Sequence, residues 1–258
     1  MTDTLSNVKG ILFDINGVFH VDNRPIEGAI ETINQLKNKF PCRFVTNTTT
    51  KSRETFHQSL VDMGLPIDES EIISAPYAAV LYLRQLNNPS CHLLLAKSVT
   101  SDFAEFEQSD TNPSVIVIGD IDDRWNYEIM NRVFKMLNQG AELIALHKGK
   151  YWQSEGDLQL DIGAFVRGLE YASGKTATVV GKPSASFFDL ALAELELPAE
   201  NVIMVGDDID SDVGGAQKEG LRGILVKTGK YRQELVEDSD VKPDRTIDSI
   251  ADLAELLD

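Results

Sequence analysis

The chain contains Ile11-Leu12-Phe13-Asp14-Ile15-Asn16-Gly17-Val18, an apolar run that reaches a carboxylate and then turns through Asn-Gly. Apolar and polar residues do not alternate in this run, which is typical of a strand buried on both faces of a parallel sheet. In open α/β sheets the ligand crevice lies at the carboxyl ends of the strands, so Asp14 stands where chemistry is expected. The alternative is a β-hairpin, because Asn-Gly is a strong hairpin signal.

Similar apolar runs recur along the chain, with amphipathic stretches between them. The predicted strands are 8–15, 42–47, 71–75, 178–181, 202–206 and 223–227, and the predicted helices are 29–39, 53–63, 184–194 and 216–219. This alternation indicates an α/β protein with a doubly wound parallel sheet. The middle of the chain has its own set, with strands 91–96, 115–119 and 143–146 and helices 102–106, 127–137 and 164–171. We therefore predict a core from residues 1–76 and 177–258, with a second α/β domain, residues 77–176, inserted into it.

A second strand-like run, Val202–Gly206, ends in a cluster of acids: Asp207, Asp208, Asp210 and Asp212. Carboxylates this close in sequence repel one another unless a cation neutralises them. Oxygen ligands favour Mg²⁺ or Ca²⁺ over softer metals. An EF-hand calcium loop is the specific alternative, but Val213 stands where such a loop needs glycine, and a strand precedes the cluster.

Two further strand ends carry groups that suit a phosphate ligand. Thr46 and Asn47 follow one strand, and hydroxyl and main-chain N–H groups before a helix bind phosphate oxygens well; a plain helix cap is the alternative. Lys182 follows another strand in Gly181-Lys182-Pro183, where a fixed ammonium can neutralise a phosphoryl group. The alternative for Lys182 is an exposed turn lysine.

Taken in order, these four motifs resemble those of the haloacid dehalogenase (HAD) superfamily of phosphatases. The insertion between Thr46 and Lys182 resembles the large α/β cap of the 4-nitrophenylphosphatase group. The resemblance implies a Rossmann-like core with a substrate-specificity cap, and a Mg²⁺-dependent phosphohydrolase that works through an aspartyl-phosphate. Relatives of this kind often dimerise through the cap, so a homodimer is a further expectation.

The resemblance also implies a role for each matching residue. Asp14 is the nucleophile and a Mg²⁺ ligand, the Asn16 carbonyl is a second ligand, and Asp207 binds the metal directly. Asp208 or Asp212 holds metal-bound water. Thr46, with the N–H of Asn47, binds the transferring phosphoryl group, and Lys182 neutralises charge. This division suits phosphoryl transfer, which depends chiefly on positioning and charge neutralisation.

Asn16 departs from the family pattern, in which a second aspartate two residues after the nucleophile serves as general acid and base. Such help contributes about 10²–10⁴-fold to a rate, and an amide cannot supply it. The enzyme is then slow, or its substrates have good leaving groups, or another group substitutes. Two other functions stay open: a catalytically silent relative that binds a phosphorylated ligand, and a receiver-like phosphoacceptor module. In receivers, however, the acidic pair precedes the phosphorylated aspartate.

The inserted region contains a basic and aromatic stretch from His147 to Trp152. A lid over an active site supplies substrate contacts, so His147, Lys148 and Tyr151 are candidate substrate-binding residues. Asp161-Ile162-Gly163-Ala164 is a candidate for the same surface. A solvated loop is the alternative.

The composition excludes more than it identifies. The formal net charge of −17 argues against a nucleic-acid surface, which needs Lys and Arg to offset phosphate charge. No apolar run reaches membrane-spanning length, and no secretory signal is evident. The two cysteines are too few for a disulfide framework. We therefore expect a cytoplasmic protein acting on a small phosphorylated substrate.

Overall fold

The computed structural model describes residue 5, residues 7–154 and residues 157–257. Its chain divides into two compact units. The first comprises the residues up to Thr46, Phe56–Ile73 and the residues from Lys182 onward. The second comprises Asn47–Thr55 and Ser74–Gly181. The segment after Thr46 therefore packs with the second unit, although its sequence position is between two elements of the first.

The described part of the chain contains fourteen strands and nine α-helices. The strands are β1 Gly10–Asp14, β2 His20–Val21, β3 Arg24–Pro25, β4 Cys42–Thr46, β5 Ile72–Ser74, β6 Cys91–Leu94, β7 Val115–Ile118, β8 Glu142–Ala145, β9 Tyr151–Ser154, β10 Asp157–Leu160, β11 Thr178–Val179, β12 Val202–Gly206, β13 Arg222–Val226 and β14 Arg245–Ile247. The helices are α1 Ala29–Lys37, α2 Arg53–Asp62, α3 Ala75–Gln85, α4 Tyr127–Asn138, α5 Gly163–Ser173, α6 Ala185–Leu195, α7 Gly215–Lys218, α8 Gln233–Asp238 and α9 Leu253–Leu256. Short 3₁₀ turns lie at Glu69–Glu71, Thr100–Phe103, Asp122–Arg124, Ala199–Asn201 and Ile250–Asp252, and a π-helical turn spans Ile209–Gly214.

The first unit is built on a sheet of strand order β14-β13-β12-β1-β4-β5. The pairs from β14 to β4 are all parallel. The central strands β1 and β12 are buried along their whole length, which explains why their sequences are apolar without alternation. Phe13 packs on Phe19 and Phe44 with ring centroids 5.2 and 5.6 Å apart, so the strand that ends at Asp14 rests on an aromatic cluster.

The second unit has its own parallel sheet of order β11-β8-β7-β6. Its core includes Leu83, Phe103, Val117 and Leu146. The antiparallel pair β9–β10 belongs to the same unit. Parallel sheets in both units confirm the predicted α/β fold class.

Several local predictions differ from the structure. The predicted helix at 102–106 is a 3₁₀ turn at Thr100–Phe103, and α3 was not predicted although Ser74 caps it by accepting the N–H of Tyr77. The two-residue hairpin turn lies at Asp22–Asn23, whose φ angles of 49° and 58° suit a type I′ turn between β2 and β3. Asn16-Gly17 instead turns the chain away from the end of β1.

No helix in the described ranges is long and apolar enough to cross a membrane.

Candidate active site

The sheet register places three of the predicted site residues at one edge of the first unit. Asp14 is the last residue of β1 and pairs with Val45, so Thr46 lies one residue farther along β4. Phe13 pairs with Val205, which puts Asp207 just beyond the end of β12. Because parallel strands end at the same edge, adjacent strands bring these side chains to one crevice.

Lys182 occupies the centre of this edge. Its ammonium contacts Asp14 and lies 2.7 Å from Oδ1 of Asp212. Lys182 is only 3% exposed, so it is not the exposed turn lysine that its sequence position also allowed. Burial by itself lowers the pKa of Lys182, but the charges of Asp14 and Asp212 outweigh that effect and raise the pKa. The lysine is therefore held as a buried cation between two carboxylates.

Three buried carboxylates, those of Asp14, Asp207 and Asp212, form a group that could hold a metal ion. Each offers an oxygen within 4.8 Å of the others. Burial raises the pKa of Asp207, and the charges of Asp14 and Asp212 raise it further. Burial likewise raises the pKa of Asp212, to about 7, although Lys182 opposes the shift. Three carboxylates are therefore held together in a buried site where their ionised forms are unfavourable. A divalent cation would stabilise those ionised forms.

The residues that follow Asp207 form a π-helical turn rather than a calcium loop. Asp208 caps this turn, because its Oδ1 accepts the N–H groups of Asp210 and Ser211 at 3.1 and 2.9 Å. One turn later Asp212 points back, and its Oδ2 accepts the Asp208 N–H at 3.2 Å. The turn thus brings Asp212 into the group of buried carboxylates that could hold a metal ion, while Asp208 stands partly exposed at its side.

A turn after β13, which was not predicted from the sequence, encloses Asp207. The Lys230 N–H donates to Oδ2 of Asp207 at 2.7 Å, and the Thr228 hydroxyl donates to the Gly17 carbonyl. Gly17 and Gly229 have φ angles of 86° and 59°, and a Cβ on either would overlap the Asp207 carboxylate. Both the backbone conformation and the space therefore require glycine. The sequence feature that could have indicated this turn is Thr228-Gly229, which follows the end of another predicted strand.

Asn16 and Thr46 are in contact within the first unit. The Asn16 amide donates from Nδ2 to Thr46 Oγ1 at 3.5 Å, and Thr46 is completely buried. Asn16 itself is exposed. A neutral amide therefore occupies the solvent side of the hydroxyl that was predicted to bind phosphate.

The other predicted site residues, Asn47, His147, Lys148 and Tyr151, belong to the second unit. The Lys148 ammonium lies 2.8 Å from the Glu170 carboxylate, so it is engaged by α5. His147 Nδ1 accepts the Gly149 N–H at 3.1 Å and lies 3.8 Å from Asp161. Tyr151 is 39% exposed. Trp152 was part of the same predicted stretch, but its side chain lies outside the described residues.

The chemistry of the donor set fits Mg²⁺. All three groups are carboxylates, the hard oxygen ligands that Mg²⁺ prefers. Burial and neighbouring carboxylates raise the pKa values of Asp207 and Asp212, so these two groups gain most from a nearby cation. The glycines at 17 and 229 keep side chains away from Asp207. Asp14, Asp207 and Asp212 could therefore hold the ion.

Comparison with known proteins agrees with this geometry. Residues 11–109 match the family described as haloacid dehalogenase-like hydrolase, and residues 179–253 match the related description HAD-hydrolase-like. Phospholysine phosphohistidine inorganic pyrophosphate phosphatase from Bos taurus is 39% identical over 99% of this chain and 96% of the relative. The chain belongs to the haloacid dehalogenase-like hydrolase family.

A second relative of this HAD hydrolase is haloacid dehalogenase-like hydrolase domain-containing protein 2 from Bos taurus, 40% identical over 87% of this chain and 86% of the relative. Among solved structures, p-nitrophenyl phosphatase from Archaeoglobus fulgidus has a TM-score of 0.90 at 29% identity, over 96% of this chain and 99% of the other. The 4-nitrophenylphosphatase from Thermotoga maritima has a TM-score of 0.92 at 24% identity, over 99% of both chains, which shows the shared fold.

These relatives confirm the predicted family, its 4-nitrophenylphosphatase group and the enzyme class, a phosphatase.

Proposed function

We propose that this HAD hydrolase is a Mg²⁺-dependent phosphohydrolase in which Asp14 attacks phosphorus and is transiently phosphorylated. The observation that carries the proposal is the Lys182 ammonium, buried between Asp14 and Asp212 beside Asp207. A carboxylate at a strand end, with a fixed cation against it and two further acids behind it, suits attack on a phosphoryl group.

In the first step an oxygen of Asp14 forms a bond to phosphorus while the bond to the leaving group breaks, and the electron pair departs with that group. Lys182 lies against the Asp14 carboxylate and offsets charge on the transferring phosphoryl group. The Thr46 hydroxyl and the Asn47 N–H bind phosphoryl oxygens. In the second step a water oxygen attacks the same phosphorus, and the Asp14–phosphate bond breaks to give inorganic phosphate and the free carboxylate.

Asp14, Asp207 and Asp212 would hold Mg²⁺, with the Asn16 carbonyl as a further ligand and Asp208 beside bound water. When present, the ion neutralises negative charge on the phosphoryl group and the carboxylates. Asp212 is nearly fully buried and faces both Lys182 and Asp14, which favours it over Asp208 as the residue that orders the site.

The substrate class follows from Asn16. Without an acid at this position, substrates with good leaving groups are favoured: aryl phosphates, pyrophosphate and compounds with a phosphorus–nitrogen bond. The relatives support this assignment, since one is named a phospholysine, phosphohistidine and pyrophosphate phosphatase and others are 4-nitrophenylphosphatases.

The second unit is proposed to act as the specificity cap, with His147, Lys148 and Tyr151 in or beside the substrate-binding surface. A homodimer through this unit and a cytoplasmic location also stay proposals. The net charge of −17 supports a small anionic substrate reached through Mg²⁺ rather than a nucleic-acid partner.

The test is phosphate release from 4-nitrophenyl phosphate and pyrophosphate, with Mg²⁺ and with a chelator. Wild type should be active only with Mg²⁺, and Asp14→Asn and Asp207→Ala should each abolish nearly all turnover. Mass spectrometry of rapidly quenched enzyme should find a phosphoryl group on Asp14. Asp248→Asn is the matched control, because Asp248 is 83% exposed and pairs with Lys227. Appreciable turnover by purified Asp14→Asn would end the covalent mechanism.

A second candidate is a silent relative that binds a phosphorylated ligand, and the amide at Asn16 is the observation that favours it. Absence of turnover across a broad panel of phosphorylated metabolites, together with retained Mg²⁺-dependent phosphate binding, would favour this candidate over the enzyme.

A further inference from the structure

Lys230 joins the acidic site from the turn after β13. Its N–H donates to Oδ2 of Asp207 at 2.7 Å, which fixes the base of its side chain beside a metal-site carboxylate. Its ammonium lies 3.5 Å from Oδ2 of Asp208, and the side chain is 53% exposed. Lys182, in contrast, is buried and contacts two carboxylates. The site thus has one enclosed cation and a second at its solvent edge.

The contact between Lys230 and Asp208 is not needed to hold Asp208 in place. Oδ1 of Asp208 already accepts two main-chain N–H groups, from Asp210 and Ser211. At 3.5 Å the ion pair is long, and both partners have access to solvent. Such exposed pairs contribute little to stability, so the Lys230 ammonium can turn to a ligand at small cost.

Charge explains what that ligand should be. Four carboxylates surround the site, Asp14, Asp207, Asp208 and Asp212, and two ammonium groups oppose them. A divalent cation would bring the ionised cluster to neutrality. The Lys230 ammonium lies beside Asp208 on the exposed side of this cluster. Loss of Lys230 would leave the loaded site with net negative charge.

We infer that Lys230 binds the departing phosphate of a phosphoanhydride and so determines specificity for pyrophosphate over esters whose leaving group carries no charge before cleavage. The inference rests on the proposed function. A diphosphate carries additional negative charge on its leaving group, and Lys182 is already held between Asp14 and Asp212. The nitrophenyl group offers no such charge, so it should depend far less on Lys230.

The test compares kcat/KM for pyrophosphate and 4-nitrophenyl phosphate in wild type, Lys230→Met, Lys230→Arg and Lys227→Met, at fixed free Mg²⁺. Lys227 is the matched control, because it is three residues away, 46% exposed, and pairs with Asp248 outside the site. Lys230→Met should lose about tenfold on pyrophosphate, the size of one charge-assisted hydrogen bond, and less than about threefold on 4-nitrophenyl phosphate. Lys230→Arg should recover most of the pyrophosphate activity.

Binding provides a readout that does not depend on turnover. Calorimetry with Mg²⁺ should show that Lys230→Met weakens methylenediphosphonate, a stable diphosphate, about tenfold, and inorganic phosphate much less. Equal losses for both substrates, or losses no larger than those of Lys227→Met, would overturn the inference. If wild type hydrolyses neither substrate, the proposed function fails; the Lys230 inference then falls if Lys230→Met binds the diphosphonate as tightly as wild type.

Discussion

Lys182 Nζ lies 2.7 Å from Oδ1 of Asp212, and both side chains are almost completely removed from solvent. The same ammonium contacts Asp14. A buried charge without a partner is costly, whereas a buried pair is tolerated when its geometry is good. The Lys182 ammonium therefore compensates negative charge on two buried carboxylates, Asp14 and Asp212, in the metal-free protein.

Lys182→Met should destabilise the metal-free protein by about 3–5 kcal/mol, the usual effect of removing one partner from a buried pair. The loss should be smaller at pH 5.5 than at pH 7.5. Asp212 already has a pKa raised to about 7, so without Lys182 it takes up a proton as the pH falls and the uncompensated charge disappears. Urea unfolding in chelator at both pH values measures this. Lys227→Met is the control, and equal stability of the two variants would contradict the prediction.

Gly229→Ala should weaken Mg²⁺ binding strongly, because the added methyl group overlaps the Asp207 carboxylate. The variant should need at least about tenfold more Mg²⁺ for half-maximal activity, as expected for loss of one well-placed ligand interaction. Thermal unfolding should show the same change as a reduced stabilisation by Mg²⁺.

Gly174→Ala is the matched control for backbone strain. Gly174 has a φ of 70°, close to the 59° of Gly229, but a Cβ at residue 174 meets nothing within 4 Å. Gly174→Ala should therefore suffer about the same backbone strain as Gly229→Ala, and a similar loss of stability from that strain. Its stabilisation by Mg²⁺ should stay as in wild type. A normal Mg²⁺ response in Gly229→Ala would show that Asp207 is not a ligand.

Substitutions of Lys148 and Tyr151 should have different effects, one on stability and the other on substrate binding, although both residues were predicted as substrate contacts. The Lys148 ammonium is 2.8 Å from Glu170, which also accepts the Ala177 N–H at 2.9 Å. Lys148→Met should therefore lower the urea midpoint. Tyr151→Ala should leave that midpoint unchanged and raise KM for the natural substrate while sparing small generic phosphates. A KM effect of equal size for both substrate classes would mean that the Tyr151 loop is structural.

Glu170 makes the stability contributed by its contacts with Lys148 and the Ala177 N–H depend on pH. Burial raises its pKa, but the Lys148 hydrogen bond and the Ala177 N–H outweigh burial, and the pKa is lowered. A carboxyl with a lowered folded pKa contributes stability above its unfolded pKa of about 4.3, and that contribution is lost as the pH falls through the folded value. Glu170→Gln should thus lower the urea midpoint at pH 7, and the difference from wild type should shrink below about pH 4. A difference independent of pH would rule out the ionised network.

The fold class could be predicted because β1 and β12 are buried on both faces; β1 ends on an acid, and an acid directly follows β12. A short stretch of sequence is enough to indicate both a buried strand and the acidic residue at its end. The hairpin turn could not be placed, because Asn16-Gly17 carries the stronger local signal and yet tertiary contacts direct it elsewhere. There the Thr228 hydroxyl donates to the Gly17 carbonyl, and Asp207 packs against Gly17. The turn therefore lies at Asp22–Asn23.

The same distinction holds in the site. Asp14 and Asp207 stand at the ends of adjacent parallel strands, so their convergence follows from the topology of the first sheet. Lys182 follows β11 of the other sheet, so its contacts with Asp14 and Asp212 did not follow from strand order. The choice between Asp208 and Asp212 could not be made from spacing, because it depends on a π-helical turn that local propensity does not specify. Lys230 was missed because its contact with Asp207 uses the main-chain N–H, which any residue except proline carries.

Asn16 donates from its amide to Thr46 Oγ1 at 3.5 Å, at the position where related phosphatases are expected to carry a second aspartate. An amide can orient the hydroxyl but cannot supply a proton to a leaving group. In the proposed mechanism it also cannot take a proton from the water that attacks phosphorylated Asp14. The rate of the first step should therefore depend on the stability of the leaving group. The rate of the second should depend on attack by water without a general base at residue 16.

The expected outcome is a steep dependence of kcat/KM on leaving-group pKa in wild type, with aryl phosphates and pyrophosphate cleaved well and simple alkyl phosphates poorly. Phosphorylated Asp14 should accumulate during turnover, because its hydrolysis lacks a base. Asn16→Asp should help alkyl substrates most, by up to about the 10²–10⁴-fold that general acid–base groups supply. The added charge near Asp14 also acts on every substrate, so aryl phosphates serve as the internal control for simple disturbance of the site.

The measurement is kcat/KM across a series of leaving groups for both proteins, with rapid quench showing that chemistry limits the rate. A flat dependence in wild type would mean that another residue supplies the proton, and the role assigned to Asn16 would be wrong.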